Sequence, residues 1–432
     1  MAEIRALAEV RLWGATVGAV TELDDARVLF EYAESFRGSG LEISPIHLPL
    51  ARRGPIAFDE LRRKRAFDGL PGVLADALPD AFGNRVIRAY FAARGEAQRA
   101  LSPVQRLLYV GERAIGALSF HPAEELPLRP AERESLDVAA LVRDARRVVA
   151  GSPDVAVPEI YRIGASAGGM RPKALVLFDP ATRTLRSGNA TPRPGEEHCI
   201  LKFDGVGDGA TLDELGRPQP FNRIEAAYSA MARAAGIAAC TITMLEQDGY
   251  AHLLVRRFDR EGPGGSERVH QHSFGGLVHV DFNDRGAASY EEYLRAVLRL
   301  GMPQADVDQA WRRMVFNVLA VNQDDHVKNL AFQMRPDGIW SLAPAYDLTF
   351  AKGADWTAAH QMLVQDKTSG IRNADLLAVA ERFAIRRASR ALDEVRGAVA
   401  RFADFARDCG VPPDAVASVS RTLGERAAEL AG

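Results

Sequence analysis

The stretch that most constrains this chain runs from 317 to 350, NVLAVNQDDHVKNLAFQMRPDGIWSLAPAYDLTF. It contains Asp324-Asp325-His326-Val327-Lys328-Asn329, an Asp followed five residues later by an Asn. Residues 330–334 (LAFQM) read as a strand, Pro336-Asp337-Gly338 as a turn and 339–342 (IWSL) as a second strand, with Asp347 close behind. Asp and Asn are common in loops because their side chains bond nearby backbone, so D-x-x-x-x-N by itself says only "loop". An Asp, an Asn and a further Asp in fixed order around a hairpin say more. Mg²⁺ keeps several waters, so two side-chain oxygens plus phosphate oxygens are enough to hold it.

Protein kinases use this order. An Asp of the catalytic loop accepts the substrate hydroxyl proton, an Asn five residues on holds a metal, and an acid beyond a hairpin holds Mg²⁺. The run Asn-Gln-Asp-Asp-His-Val-Lys-Asn (322–329), followed by Leu-Ala-Pro-Ala-Tyr-Asp-Leu (342–348), resembles the HipA family. These are the Ser/Thr kinase toxins of bacterial type II toxin–antitoxin pairs. The resemblance implies Asp324 as catalytic Asp, Asn329 and Asp347 as metal ligands and His326 beside the nucleotide. FDGLPGVLADALPDAFGN (67–84) and LLYVGERAIGALSF (107–120) resemble the N-terminal part of the same family. Their residues alone read as turn glycines and apolar positions of a small β-rich core, so no chemistry is expected of residues 1–120.

At 432 residues the chain can bury a large core and divides into two or three lobes. Its 47% hydrophobic and 26% charged residues are those of a soluble globular protein. A net charge of −3 gives no electrostatic case for direct binding to nucleic acid or membrane. Cys199, Cys240 and Cys409 are isolated, which argues against a disulfide framework or structural zinc and suits a reducing cytoplasm. The N-terminus carries no signal-peptide pattern, and no window approaches a membrane-spanning apolar run.

Along the chain, residues 8–20 read as two strands around Gly14, 27–32 as a third, and 81–94 as helix. The basic run Arg62-Arg63-Lys64-Arg65 reads as a solvated face. Residues 121–136, rich in Pro and Glu, read as a linker, and 136–150 as a helix. Ile163 to Lys173 (IGASAGGMRPK) then precedes the strand ALVLF (174–178). A Gly-rich turn lets backbone N–H groups approach phosphates, although an ordinary hairpin has the same look. No G-K-[ST] closes it, so it is not a Walker A loop. The family resemblance implies Ser166 as an autophosphorylation site, with Gly168, Gly169 and Lys173 in the loop over the nucleotide. Here Arg171-Pro172-Lys173 stands where the family has a Gln-Glu-Lys-like triplet.

Lys202 is the one charge in the strand HCILKF (198–203). A lone strand lysine can be an edge gatekeeper. Following a Gly-rich hairpin and preceding a helix, it fits the kinase lysine that neutralises ATP phosphates. In the helix NRIEAAYSAMARAAG (222–236), Asn222 and Glu225 have capping-box spacing, while a kinase would pair Glu225 with Lys202. The strand HLLVRRFDR (252–260) resembles the family's hinge, which implies main-chain adenine contacts around Arg256 and Phe258. His270, His272 and His279 could gather a Zn²⁺ ion, or line the cleft and satisfy backbone groups. Ser289 with Glu292 is a second capping box, with Tyr290, Tyr293, Leu294, Val297 and Leu298 on one helix face. A helix over 306–322 buries Trp311, Met314, Val315, Val318 and Leu319 and leads into the catalytic loop. Residues 360–370 read as an activation or substrate segment, and 373–384, 386–408 and 412–430 as closing helices.

The expectation is an α+β, protein-kinase-like two-lobed fold with an extra β-rich N-terminal subdomain and an all-helical C-terminal lobe. The divisions fall at 1–122, 123–256 and 257–432. The expected function is transfer of the ATP γ-phosphate, with Mg²⁺, to a Ser or Thr of a protein substrate. The family resemblance implies an aminoacyl-tRNA synthetase as substrate, a helix-turn-helix HipB-like antitoxin as partner, and DNA contact only through that antitoxin. A small-molecule kinase on the same fold and a non-catalytic co-repressor scaffold remain as alternatives.

Overall fold

The computed structural model of the protein describes residues 3–96, 100–123, 135–151, 172–206 and 217–431. Alternation builds its first sheet: in β1 (Ile4–Leu12) Ala8, Val10 and Leu12 point inward, and their neighbours outward. Trp13 and Gly14 form a two-residue turn with φ of 48° and 82°, the left-handed pair that matches strand twist. β2 (Ala15–Leu23) returns antiparallel, with Leu12 opposite Ala15. β3 (Val28–Tyr32), β4 (Ile56–Ala57) and β5 (Leu118–His121) complete a five-stranded sheet in the order β4-β3-β2-β1-β5. The helix α1 (Ala81–Ala93) is capped by Asp80, whose carboxylate accepts the Gly83 N–H. The helix α2 (Pro103–Val110) starts with a full Ser102/Gln105 capping box and packs on β1 and β5.

The helix α3 (Val138–Val149) buries Val138, Leu141, Val142, Ala145 and Val148. A second antiparallel sheet follows, in the order β7-β6-β8-β10-β9. Its strands are β6 (Lys173–Asp179), β7 (Thr184–Ser187), β8 (Glu197–Lys202), β9 (Ile242–Gln247) and β10 (Tyr250–Arg256). The helix α4 (Phe221–Ala234) packs on β9 and β10. Most of the Gly-rich loop, including Ser166, Gly168 and Gly169, lies outside the described residues.

The remainder is mainly helical, with two small sheets. A short ribbon, β11 (Arg260–Glu261) with β12 (Glu267–Arg268), leads to a three-stranded sheet of β13 (His270–Ser273), β14 (Ala331–Met334) and β15 (Trp340–Leu342). The C-terminal lobe is therefore not helical throughout. β14 and β15 are the two strands expected around the Pro336–Gly338 turn, and they recruit β13, whose histidines give little β signal. The helix α5 (Tyr290–Arg299) has the Ser289/Glu292 box, but Leu298 is exposed rather than on its buried face. The helix α6 (Gln304–Leu319) buries all five expected apolar residues and hands the chain to 320–329. The closing helices are α7 (Asn373–Arg382), α8 (Ala388–Ala400), α9 (Phe402–Asp408) and α10 (Pro413–Ala431).

The N-terminal sheet region is seated on this lobe along a tight seam. A Cβ at Gly72 would come within 2.0 Å of the Gly276 carbonyl oxygen, so two backbones touch where no side chain fits. Beside them the Asp76 carboxylate accepts hydrogen bonds from the Ser273 N–H (2.8 Å) and hydroxyl (2.6 Å) and pairs with His272 Nδ1 (2.7 Å). Burial pushes the Asp76 carboxyl up, yet His272 and Ser273 outweigh it and hold it below the usual range. At the hinge, Asp259 takes bonds from Arg257, Arg260 and the Gly116 N–H, tying the segment after β10 to the N-terminal region.

Candidate active site

Lys202 stands at the end of β8, directly across the ladder from Lys173 on β6. Both are buried. The Lys202 ammonium donates to Glu225 Oε1 at 2.5 Å and to Asp347 Oδ1. Burial alone would push the lysine pKa down, but the Asp347 and Glu225 carboxylates outweigh it, so Lys202 is firmly charged. Asp347 is held low in turn, mainly by Lys202 against its own burial, with Lys173 assisting.

Of the two readings of Glu225, the ion pair is the one realised, and the capping box is not. The helix N-cap is Pro220, with no side-chain cap. Asn222 instead points inward, its amide donating to the Lys202 and Ala251 carbonyls at 3.3 and 3.0 Å. Asn222 and Glu225, three apart, share the face toward the sheet, where buried carbonyls and a buried ammonium need partners.

The loop after α6 is set by a buried polar chain. The Asn317 amide donates to the Tyr290 hydroxyl (2.9 Å), which donates to Asp325 Oδ2 (2.8 Å). Asp325 also binds His360 Nδ1 (2.9 Å) and the Gln361 N–H (2.7 Å). Of the adjacent aspartates, Asp325 is therefore the anchor and Asp324 the one turned outward, its side chain 38% exposed. The Asn329 amide donates to the Asp324 carbonyl at 2.9 Å, closing the five-residue loop on itself. Asp347 sits at φ 51°, a left-handed conformation uncommon for a non-glycine residue. The segment leading to it is pinned by the bonds from Ala345 N–H to the Ala238 carbonyl and from Cys240 N–H to the Ala345 carbonyl.

These groups meet at one cavity of about 570 Å³, lined by Lys173, Lys202, Glu225, Asp324, His326, Asn329 and Asp347. His326 is buried, with its ring 5.4 Å from that of Phe282, and burial lowers its pKa. Arg256 and Phe258 are not in this cavity. They line a hollow of about 500 Å³ on the hinge side, and the Phe258 ring lies 5.6 Å from that of Tyr346, the residue before Asp347. The Arg256 N–H is engaged by the Thr241 carbonyl and the Phe258 carbonyl by the Gln333 amide.

The N-terminal region supplies a wall that sequence reasoning missed. Arg65, Leu78, Asp80, Asn84 and Arg106 line the same cavity, and Asp80 Oδ2 lies 3.7 Å from Lys173 Nζ. Arg65 thus belongs to the site, and Lys64 donates to the His279 carbonyl at 2.9 Å, so the basic run is not simply solvated. The one available signal was Asp80 before an apolar helix, which marks a cap and says nothing of a neighbouring lysine. The histidines go to separate partners: His270 to the Ile43 carbonyl (2.9 Å), His272 to Asp76 and Ser44, and His279 to the Gly72 N–H (3.1 Å). They satisfy the seam, which was the second of the two readings.

Comparison with known proteins fits this geometry. A curated relative from Sinorhizobium fredii, Y4dM, described as a candidate kinase, is 24% identical over 91% of this chain and 90% of its own. The solved HipA of Shewanella oneidensis, from a toxin–antitoxin complex with HipB and operator DNA, superposes with a TM-score of 0.67 at 17% identity. That match covers 97% of this chain and 96% of the other, and it shows a shared fold. The HipA N-terminal domain matches over residues 8–121 and the HipA-like C-terminal domain over 165–419, more than half of the chain. On a protein-kinase-like two-lobed fold with a β-rich N-terminal subdomain, the chain belongs to the HipA family.

Proposed function

We propose that the chain is a Ser/Thr protein kinase that moves the γ-phosphoryl group of ATP to a hydroxyl of a protein substrate. The observation that carries this reading is the convergence of the Lys202–Glu225–Asp347 ion trio and Asp324 at one cavity. A binding scaffold needs no outward carboxylate beside a buried, charged lysine.

Phosphoryl transfer asks the protein for position and charge rather than covalent chemistry. Lys202, fixed by Glu225, receives the phosphates. The base falls to the hinge, at main-chain groups around Arg256 and Phe258. Asp347 and Asn329 both line the cavity, and their side-chain oxygens are a hard-oxygen pair of the kind Mg²⁺ takes. Mg²⁺ there supplies positive charge against the phosphate oxygens. Asp324 orients the acceptor hydroxyl and takes its proton as the new O–P bond forms and the bond to the ADP oxygen breaks. Lys173 lies beside the same phosphates, and Ser166 in the preceding loop is the site of autophosphorylation. Family membership and the HipA–HipB–DNA neighbour favour a place in a type II toxin–antitoxin pair in the cytoplasm. The partner is a HipB-like helix-turn-helix antitoxin, through which any operator contact runs. The functional divisions fall at 1–122, 123–256 and 257–432.

The test is labelled ATP with Mg²⁺, wild type beside Asp324→Asn, with sites mapped by mass spectrometry. Label appears on wild type at Ser166 and falls by about 100-fold or more in the variant, in keeping with loss of a positioned proton acceptor. Equal labelling of both proteins refutes the assignment of Asp324. No labelling of either, with ATP binding intact, refutes the kinase reading.

A further inference from the structure

Trp356 is out of place by the usual rules of burial. The residue is 36% exposed, one of six large apolar residues left at the surface among those described. Its polar atom is not exposed to chance: Nε1 donates to Asp324 Oδ1 at 2.7 Å. The ring also lines the cavity that holds Lys202 and Asp347. The segment that carries it is tied at both ends and in the middle. Ala351 exchanges backbone bonds with Val321 and Gln323 at one end, and His360 and Gln361 bind Asp325 at the other. Between them Arg285 donates to the Asp355 and Trp356 carbonyls, and the Gln361 amide donates to the Trp356 carbonyl at 2.6 Å. The fold thus holds an apolar ring at the surface to aim one N–H at one carboxylate oxygen.

We propose that Trp356 is a positioning residue for phosphoryl transfer, holding the Asp324 carboxylate by Oδ1 so that Oδ2 faces the acceptor hydroxyl. This rests on the kinase reading above. A carboxylate on a rotatable χ2 presents either oxygen in any plane, and a hydrogen bond from a fixed indole removes that freedom. Among the described residues Oδ2 makes no hydrogen bond. The other groups around Asp324 do not do this job. His326 Nε2 is 3.9 Å from Oδ1, beyond hydrogen-bond reach, and Asn329 binds the Asp324 backbone rather than its carboxylate. In the chain alone, a tryptophan thirty-two residues downstream of Asp324 is indistinguishable from a core residue.

The decisive substitution replaces Trp356 with β-(3-benzothienyl)alanine, which keeps the bicyclic shape and puts sulfur in place of the N–H. Trp356→Phe is the genetically simple companion. We expect kcat for phosphorylation to fall about 10-fold in both, with KM for ATP and the melting temperature unchanged. A merely structural loss would disturb melting or the ATP KM, and the isosteric residue keeps the packing. Wild-type kcat in the benzothienyl variant, with transfer by the wild type demonstrated, overturns the inference and leaves the kinase reading standing. A raised kcat overturns it in the other direction, since Trp356 would then be blocking the acceptor. Absence of transfer by the wild type overturns the kinase reading and this inference with it.

Discussion

Taking the protein from pH 7 to pH 5 should remove about 4 kcal/mol of folding stability through two seam histidines, His270 and His279. Both are buried at the junction of the N-terminal sheet region and the C-terminal lobe. Burial drives the His270 ring down to about 4 and the His279 ring down to about 3, the latter also by repulsion from His47 stacked on it at 3.8 Å. The sign follows from linkage. A histidine whose folded pKa lies below its unfolded value of about 6.5 lends stability that is whole above that value and is lost as pH falls toward the folded pKa. Each ring that stays neutral at pH 5 forfeits about 1.4 kcal/mol per pH unit below about 6.5, hence about 2 kcal/mol apiece. Carboxylates contribute little in this window, because their unfolded values lie near pH 4. The chemistry agrees with the geometry: His279 Nε2 accepts the Gly72 N–H, and a protonated ring cannot accept. The assay is urea unfolding at pH 7, 6 and 5, wild type beside His279→Gln, which keeps an acceptor and does not titrate. The variant should lose about half of the seam contribution to the pH dependence. A urea midpoint flat from pH 7 to 5, or an unchanged slope in the variant, would refute the reasoning.

Two further outcomes test other parts of the structure. Gly72→Ala forces a Cβ to 2.0 Å from the Gly276 oxygen, where only backbone can yield, and should cost about 1–3 kcal/mol and several degrees of Tm; an unshifted Tm would mean the seam is loose. Glu225→Gln leaves the shape and removes one of the two charges on Lys202, so the Kd for ATP measured by calorimetry should rise about 10-fold. Unchanged ATP affinity would count against the ion pair as the device that fixes Lys202.

Local order was the legible part of this chain. Residues 8–20 read as two strands around Gly14, 3.6-residue periodicity marked α6, and the Ser289/Glu292 box marked the start of α5. The candidate site was legible where one short stretch, from Asp324 through Asn329 to Asp347, carried residues that line one cavity. It was opaque wherever a role depended on a partner far along the chain. Asn222 and Glu225 have capping spacing, and only the sheet beneath them shows that they face inward. Asp324 and Asp325 are identical in composition, and only Tyr290 and His360 decide which is anchored. β13 carries two histidines that alternate like any polar strand, and their partners lie more than 190 residues away. Asp80 and Trp356 fell silent for the same reason, since one looks like a cap and the other like core.

The seam bears on how this protein can be cut and reassembled. Asp76 satisfies Ser273 and His272, while His270 and His279 satisfy Ile43 and Gly72, so each side carries the other's missing hydrogen-bond partners. A truncation near residue 122 would leave the Asp76 carboxylate without its partners on one fragment and the His270, His272 and His279 rings without theirs on the other. Reporter fusions and split-protein designs that treat the first hundred or so residues as a detachable module would inherit two halves with unmet hydrogen bonds, and the safer point of entry is the exposed turn at Pro336-Asp337.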